Sequence, residues 1–145
     1  MGTIARRVQE LRNRKGWSAA ELGEKLTEKG VPWDRFTVRA LEGGRRKNVT
    51  VQEFLALAVV LDVAPVHLLF PLHEGAYEIT PNGSLFKTGA ARHWFRGTEP
   101  YPRGDRQMYL SERPERELNW PGSIPESDWT EPPASSDEGE TDAGR

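Results

Sequence analysis

An all-α fold of five short helices is expected over residues 1–71 of this 145-residue chain, and three features of the sequence lead to it. Apolar residues recur at helical spacing in separate runs. Ser18, Asp34 and Thr50 stand as capping residues before three of those runs, each bracketed by an apolar pair placed as a hydrophobic staple. Glycine or proline closes most of the runs. Past residue 71 these signals thin, so a small extension and an acidic tail complete the expected architecture.

The first helix places Ile4, Ala5, Val8 and Leu11 on one face and Arg6, Arg7, Glu10 and Arg14 on the others, and Gly16 ends it. Ser18 opens the second. Glu21, three residues on, can return the cap bond, with Trp17 and Leu22 as the staple, and the helix runs through Leu26 to about Lys29 before Gly30 and Val31-Pro32 break it. Asp34 caps the third helix, residues 34–42, whose inward stripe is Val38 and Leu41, with Thr37 half-buried, and Gly43-Gly44 terminates it. Thr50 with Glu53, flanked by Val49 and Phe54, starts a fourth helix burying Phe54, Leu57, Ala58 and Leu61. Pro65 begins a short fifth helix with Val66, Leu68 and Leu69, closed by Pro71.

Residues 72–112 form the extension. Tyr77–Thr80 and Ser84–Lys87 flank Pro81-Asn82-Gly83, a hairpin signal over 77–87, and residues 89–97 have the spacing of a short helix. Trp94 and Phe95 suit packing on the domain or on a second copy equally well. From Arg113 to Arg145 the chain is rich in Pro, Glu, Asp, Ser and Gly and too poor in apolar side chains to offset the entropy of ordering, so this segment reads as a disordered acidic tail. Trp120 and Trp129 within it are candidate contacts for a protein partner.

Charge divides along the same line. Residues 1–71 carry 12 Lys and Arg against 8 Asp and Glu, while residues 72–145 carry 8 against 14. A basic domain with an acidic extension suits a polyanion partner for its first part. With no cysteine and three scattered histidines (His67, His73, His93), neither a disulfide framework nor a metal site is expected, and no cofactor is implied. No apolar stretch approaches membrane-spanning length and no signal-peptide core follows the basic start, which points to the cytoplasm. No nucleophile, acid–base pair or phosphate loop stands in a working context, so no enzyme activity is expected.

The helical frame selects a functional face. With Val38 and Leu41 turned inward, rotation of about 100° per residue points Arg35, Phe36, Arg39 and Ala40 outward. An α-helix fits the major groove of B-DNA, where Arg can bond guanine O6 and N7 and apolar groups can touch the thymine methyl. Arg35 and Arg39 suit the first role, Phe36 and Ala40 the second. Arg45, Arg46 and Lys47 form a basic corner fit for phosphates, with Arg6 and Arg7 adding to it, and Ser18 and Thr37 complete the expected phosphate set.

The patterns Ile4-x-x-x-Val8 with Gly16, Ser18-Ala19-Ala20-Glu21-Leu22, Thr37-Val38-x-x-Leu41-Glu42-x-Gly44, and Leu57-Ala58-x-x-Leu61-x-Val63 ahead of Leu68-Leu69 carry a resemblance. Through them residues 4–71 resemble the helix-turn-helix family of phage repressor and Cro proteins, the xenobiotic-response-element type found in many bacterial regulators. The resemblance implies a compact five-helix domain whose third helix reads DNA through the same four residues, Arg35, Phe36, Arg39 and Ala40. It also implies an ion pair between Arg12 and Glu42. Two positions depart from the family: Ala19 replaces a frequent glutamine, and the connection Thr27–Pro32 is longer than the usual three or four residues.

The expected function is therefore sequence-specific binding of double-stranded DNA as a transcriptional regulator, of repressor type. A symmetric dimer would set half-sites about 34 to 36 Å apart, or a multiple. The competing expectation is a protein-interaction or antitoxin-like module that sequesters a partner.

Overall fold

The computed structural model describes residues 2–81, 85–101 and 104–114. Residues 1–106 form one unit, made of α1 (Thr3–Arg14), α2 (Ala19–Glu28), α3 (Arg35–Glu42), α4 (Val51–Leu61), α5 (Pro65–Leu69), β1 (Ala76–Glu78), β2 (Leu85–Lys87) and α6 (Thr88–Phe95). A further helix, α7 (Arg106–Ser111), leads into a second unit, residues 107–145. The tail expected to be disordered, with Trp120 and Trp129, lies outside the described residues apart from its first two positions.

Local chemistry sets the helix ends. At α2, the Glu21 N–H donates to Ser18 Oγ at 3.1 Å and the Ser18 N–H donates to the Glu21 carboxylate at 2.6 Å, a closed capping box. The same reciprocal pair joins Thr50 and Glu53 at α4, at 3.2 and 2.8 Å. At α3, Asp34 Oδ1 accepts from both the backbone N–H and the hydroxyl of Thr37, each at 2.8 Å. Gly16, Gly30 and Gly44 sit at φ 71°, 79° and 74° just past α1, α2 and α3, the left-handed turn that a side chain resists. Asp62 ends α4 the same way at φ 58°, a position no glycine or proline marks in the sequence.

The main core draws on all five of the first helices. Val8, Leu22, Leu26, Val38, Leu57, Leu61 and Leu68 have almost no exposed surface, and each such side chain contributes about 1.5 to 3 kcal/mol of burial. Packing runs on past Pro71. Val66 and Phe70 join Ala91 of α6 in a second cluster with Leu69, Tyr77, Ile79 and Phe86, and the Phe70 ring meets the edges of Tyr77 at 4.9 Å and Phe95 at 5.6 Å. Phe95 thus packs on its own chain, as does Trp94 against Tyr101 at 5.7 Å.

The extension has shorter elements than the sequence suggests. β1 and β2 are antiparallel, with Tyr77 opposite Phe86, and each is three residues long; residues 82–84 of the expected turn lie outside the described residues. Helix α6 begins at Thr88 rather than 89, because the Thr88 N–H and hydroxyl both donate to the Gly75 carbonyl at 2.9 Å and tie its start to the hairpin. It ends at Phe95 rather than 97, where Gly97 at φ 70° turns the chain.

Arg7 corrects an expectation. It is buried rather than available to phosphate: its Nε donates to the His67 carbonyl at 3.1 Å and its guanidinium pairs with Glu10. It joins α1 to α5 instead.

Candidate nucleic-acid interface

Two contacts and one close approach hold α3. At its carboxyl end the buried Glu42 receives Arg12 of α1 in a two-point fork, Nε to Oε1 at 2.7 Å and Nη2 to Oε2 at 2.9 Å, while Arg12 Nη1 donates to the Trp17 carbonyl at 2.6 Å. Hydrogen bonding to Glu42 raises the Arg12 pKa against the opposing effect of burial. The ion pair expected from the resemblance is thus formed. At the amino end α2 and α3 nearly touch: a Cβ at Gly23 would lie 2.7 Å from the Trp33 carbonyl oxygen and 3.1 Å from the Asp34 carbonyl carbon. Only glycine allows that approach without displacement.

The connection between α2 and α3 spans residues 29–34, later than the span read from sequence. Within it Val31 and Trp33 are buried while Pro32 and Asp34 face water, so its extra length is anchored by two apolar side chains. Trp33 Nε1 donates to Glu53 Oε1 at 2.9 Å. The same carboxylate oxygen takes Arg46 Nη2 at 2.5 Å, and the Arg46 guanidinium lies over the Trp33 ring at 4.7 Å. Burial pushes the Glu53 carboxyl up, yet bonds from Thr50, Trp33 and Arg46 outweigh it and hold the group below its usual range. One carboxylate therefore ties the turn before α3 to the loop after it. Sequence reading missed this junction, having assigned Glu53 to capping alone.

The outward face of α3 matches the helical geometry. Arg35, Phe36 and Arg39 are exposed, Phe36 by 63 %, and Ala40 is half-buried beside them. The Arg35 guanidinium sits over the Phe36 ring at 4.6 Å. Arg45 and Lys47 are exposed in the loop, and no carboxylate of the described residues pairs with Arg35, Arg39, Arg45 or Lys47. Ser18, Arg39 and Arg45 line one open cavity of about 510 Å³ between the start of α2 and the end of α3. Arg35 and Phe36 instead border a second one whose rim carries Glu24, Glu28 and Asp34.

Two members of the expected phosphate set are occupied within the fold. Thr37 gives its hydroxyl hydrogen to Asp34, leaving none for a phosphate oxygen. Arg46 is held by Glu53 and Trp33 and is half-buried. Ala19, the first of the two positions at which the sequence departs from the resemblance, is buried in the main core. No three His, Asp or Glu side chains converge as a metal set among the described residues, and no described helix is long and apolar enough to cross a membrane.

A family model for a helix-turn-helix domain matches residues 3–69. This part of the chain carries a helix-turn-helix domain. The match covers a little under half of the 145 residues and takes in α1 to α5. No curated protein and no solved structure matches the chain. Within the matched residues, the Arg12–Glu42 fork, the Gly23 approach and the Glu53 junction hold α3 to its neighbours.

Proposed function

We propose that the chain is a DNA-binding transcriptional regulator of repressor type, similar to the phage repressor and Cro branch, and that it docks α3 in the major groove of double-stranded DNA. One observation carries this reading: α3 is locked on its inner face by Val38, Leu41 and Glu42, while Arg35, Phe36 and Arg39 stand exposed with no carboxylate partner among the described residues. Arg35 and Arg39 read guanine edges, and Phe36 and Ala40 contact thymine methyl groups. Ser18, Arg45 and Lys47 hold the phosphates on either side and fix register. Arg46 and Thr37 act within the fold and leave the phosphate set.

Competition anisotropy with a bound fragment and a scrambled duplex separates the roles. Arg39→Ala should lose about 1 to 3 kcal/mol on the bound fragment and little on the scrambled one. Lys47→Ala should weaken both alike and reduce the slope of log affinity against log salt by about one. Equal losses on both duplexes for Arg39→Ala would remove base reading.

A second reading, capture of a partner protein, rests on the acidic rim of Glu24, Glu28 and Asp34 beside Arg35 and Phe36. It predicts that Glu24→Gln and Glu28→Gln tighten DNA binding and weaken the partner complex.

A further inference from the structure

Residues 43–50 link α3 to α4, and 45–49 of that link have neither helix nor strand to hold them. Among the described residues, every hydrogen bond that fastens 45–49 is made by Arg46. Its N–H donates to the Ala40 carbonyl at 2.8 Å, its Nε to the Asn48 carbonyl at 3.1 Å and its Nη2 to Glu53 Oε1. With its guanidinium over the Trp33 ring, Arg46 thus spans the end of α3, the start of α4 and the turn before α3. Its neighbours on either side, Arg45 and Lys47, are exposed and make no such bond among the described residues.

We propose that Arg46 is a positioning residue for phosphate binding: it touches no DNA itself and holds the loop in the course that aims Arg45 and Lys47 at the backbone. Glu53 and Trp33 act through it. The inference rests on the reading of Arg45 and Lys47 as phosphate contacts. Without this fastening, residues 45–49 would sample many courses, and DNA would have to order them on binding. Trp33 bonds the same carboxylate from the turn that leads into α3, so the course of the loop and the entry to α3 are set at one point.

The role needs arginine rather than a positive charge. A guanidinium presents its donors in a rigid planar fork and stacks on an aromatic ring, whereas lysine brings a point charge on a flexible stem. Arg46→Lys therefore keeps the charge and loses the fork. A direct phosphate contact would survive that change, and a positioning role would not.

Fluorescence anisotropy of the full chain on a bound fragment and a scrambled duplex, from about 50 to about 200 mM salt, tests it. Arg46→Lys should reduce the slope of log affinity against log salt by about one to two on both duplexes, as Arg45 and Lys47 drop out. Lower stability alone shrinks the fraction of chain that binds and leaves the slope of the rest unmoved. Glu53→Gln adds an independent sign: glutamine keeps the cap bond to Thr50 and removes a negative charge, so charge alone predicts tighter binding, whereas loss of the Arg46 anchor predicts weaker binding. Lys47→Ala should flatten the wild-type slope by about one and the Arg46→Lys slope by much less. An unchanged slope in Arg46→Lys, tighter binding in Glu53→Gln, or an equal effect of Lys47→Ala in both backgrounds overturns the proposal and leaves DNA binding standing. A wild-type chain with no affinity for either duplex overturns both.

Discussion

Glu42→Ala is the most informative stability test, because it removes one half of the fork that holds α3 to α1. The Arg12 side chain is 13 % exposed and would keep the Trp17 carbonyl as an acceptor while losing both bonds to the carboxylate. Stranding a buried charge in this way costs about 3 to 5 kcal/mol, and the surviving carbonyl bond and partial exposure place the loss near the lower end, about 3 kcal/mol. For a domain of this size, that lowers Tm by roughly 12 to 24 °C. Replacing both partners, Arg12→Met with Glu42→Leu, should recover most of the loss, since no charge is left without a partner. Thermal and urea unfolding followed by circular dichroism of the wild type, Arg12→Met, Glu42→Leu and the double variant give the four corners of the cycle. A loss below about 0.5 kcal/mol for Glu42→Ala, the range of an exposed pair, would refute the reasoning, and so would a double variant as unstable as the sum of the singles.

Further outcomes follow from the same contacts. Gly23→Ala should destabilise by about 1 to 3 kcal/mol and weaken DNA binding beyond what unfolding explains, because the added methyl pushes on the Trp33 carbonyl at the entry to α3; an unchanged melting curve would count against the close approach. Burial, with Arg96, Arg7 and Arg92 nearby, lowers the His67 pKa, so its neutral ring is favoured in the folded state. Its contribution to stability is complete above the unfolded value near 6.5 and declines as pH falls through the lower folded value, and His67→Gln should flatten stability against pH in that window. Glu53→Gln should destabilise and, in tryptophan fluorescence, alter the signal of Trp33, since the carboxylate bonds both Trp33 and Arg46; a loss confined to capping, about 1 kcal/mol, would mean the junction adds little.

Much of the helix-turn-helix frame was legible because short-range chemistry writes it. Ser18 with Glu21, Asp34 with Thr37, and Thr50 with Glu53 each act over three residues, so their spacing alone announces a helix start. The inner stripe of Val38 and Leu41 likewise fixes which residues of α3 face outward. Contacts between distant segments are another matter. Nothing in local pattern separates Arg7, spent on the His67 carbonyl 60 residues away, from the exposed Arg6, and both read as surface cations. Arg46 looked equivalent to Arg45 and Lys47 until the Glu53 carboxylate and the Trp33 ring were seen to meet it. On α4 the sequence reading picks out the inner stripe of Leu57, Ala58 and Leu61, and the exposure of Val51, Leu55 and Val59 on the other side comes from the structure.

Selection of bound fragments from a pool of random duplexes, using the full chain at a stated salt concentration, tests the central claim most directly. The account predicts enrichment of a short motif containing guanines, with preference at single base pairs lost for Arg35→Ala and Arg39→Ala and retained for Lys47→Ala. Recovery of no motif, or of one that neither arginine substitution alters, would contradict it.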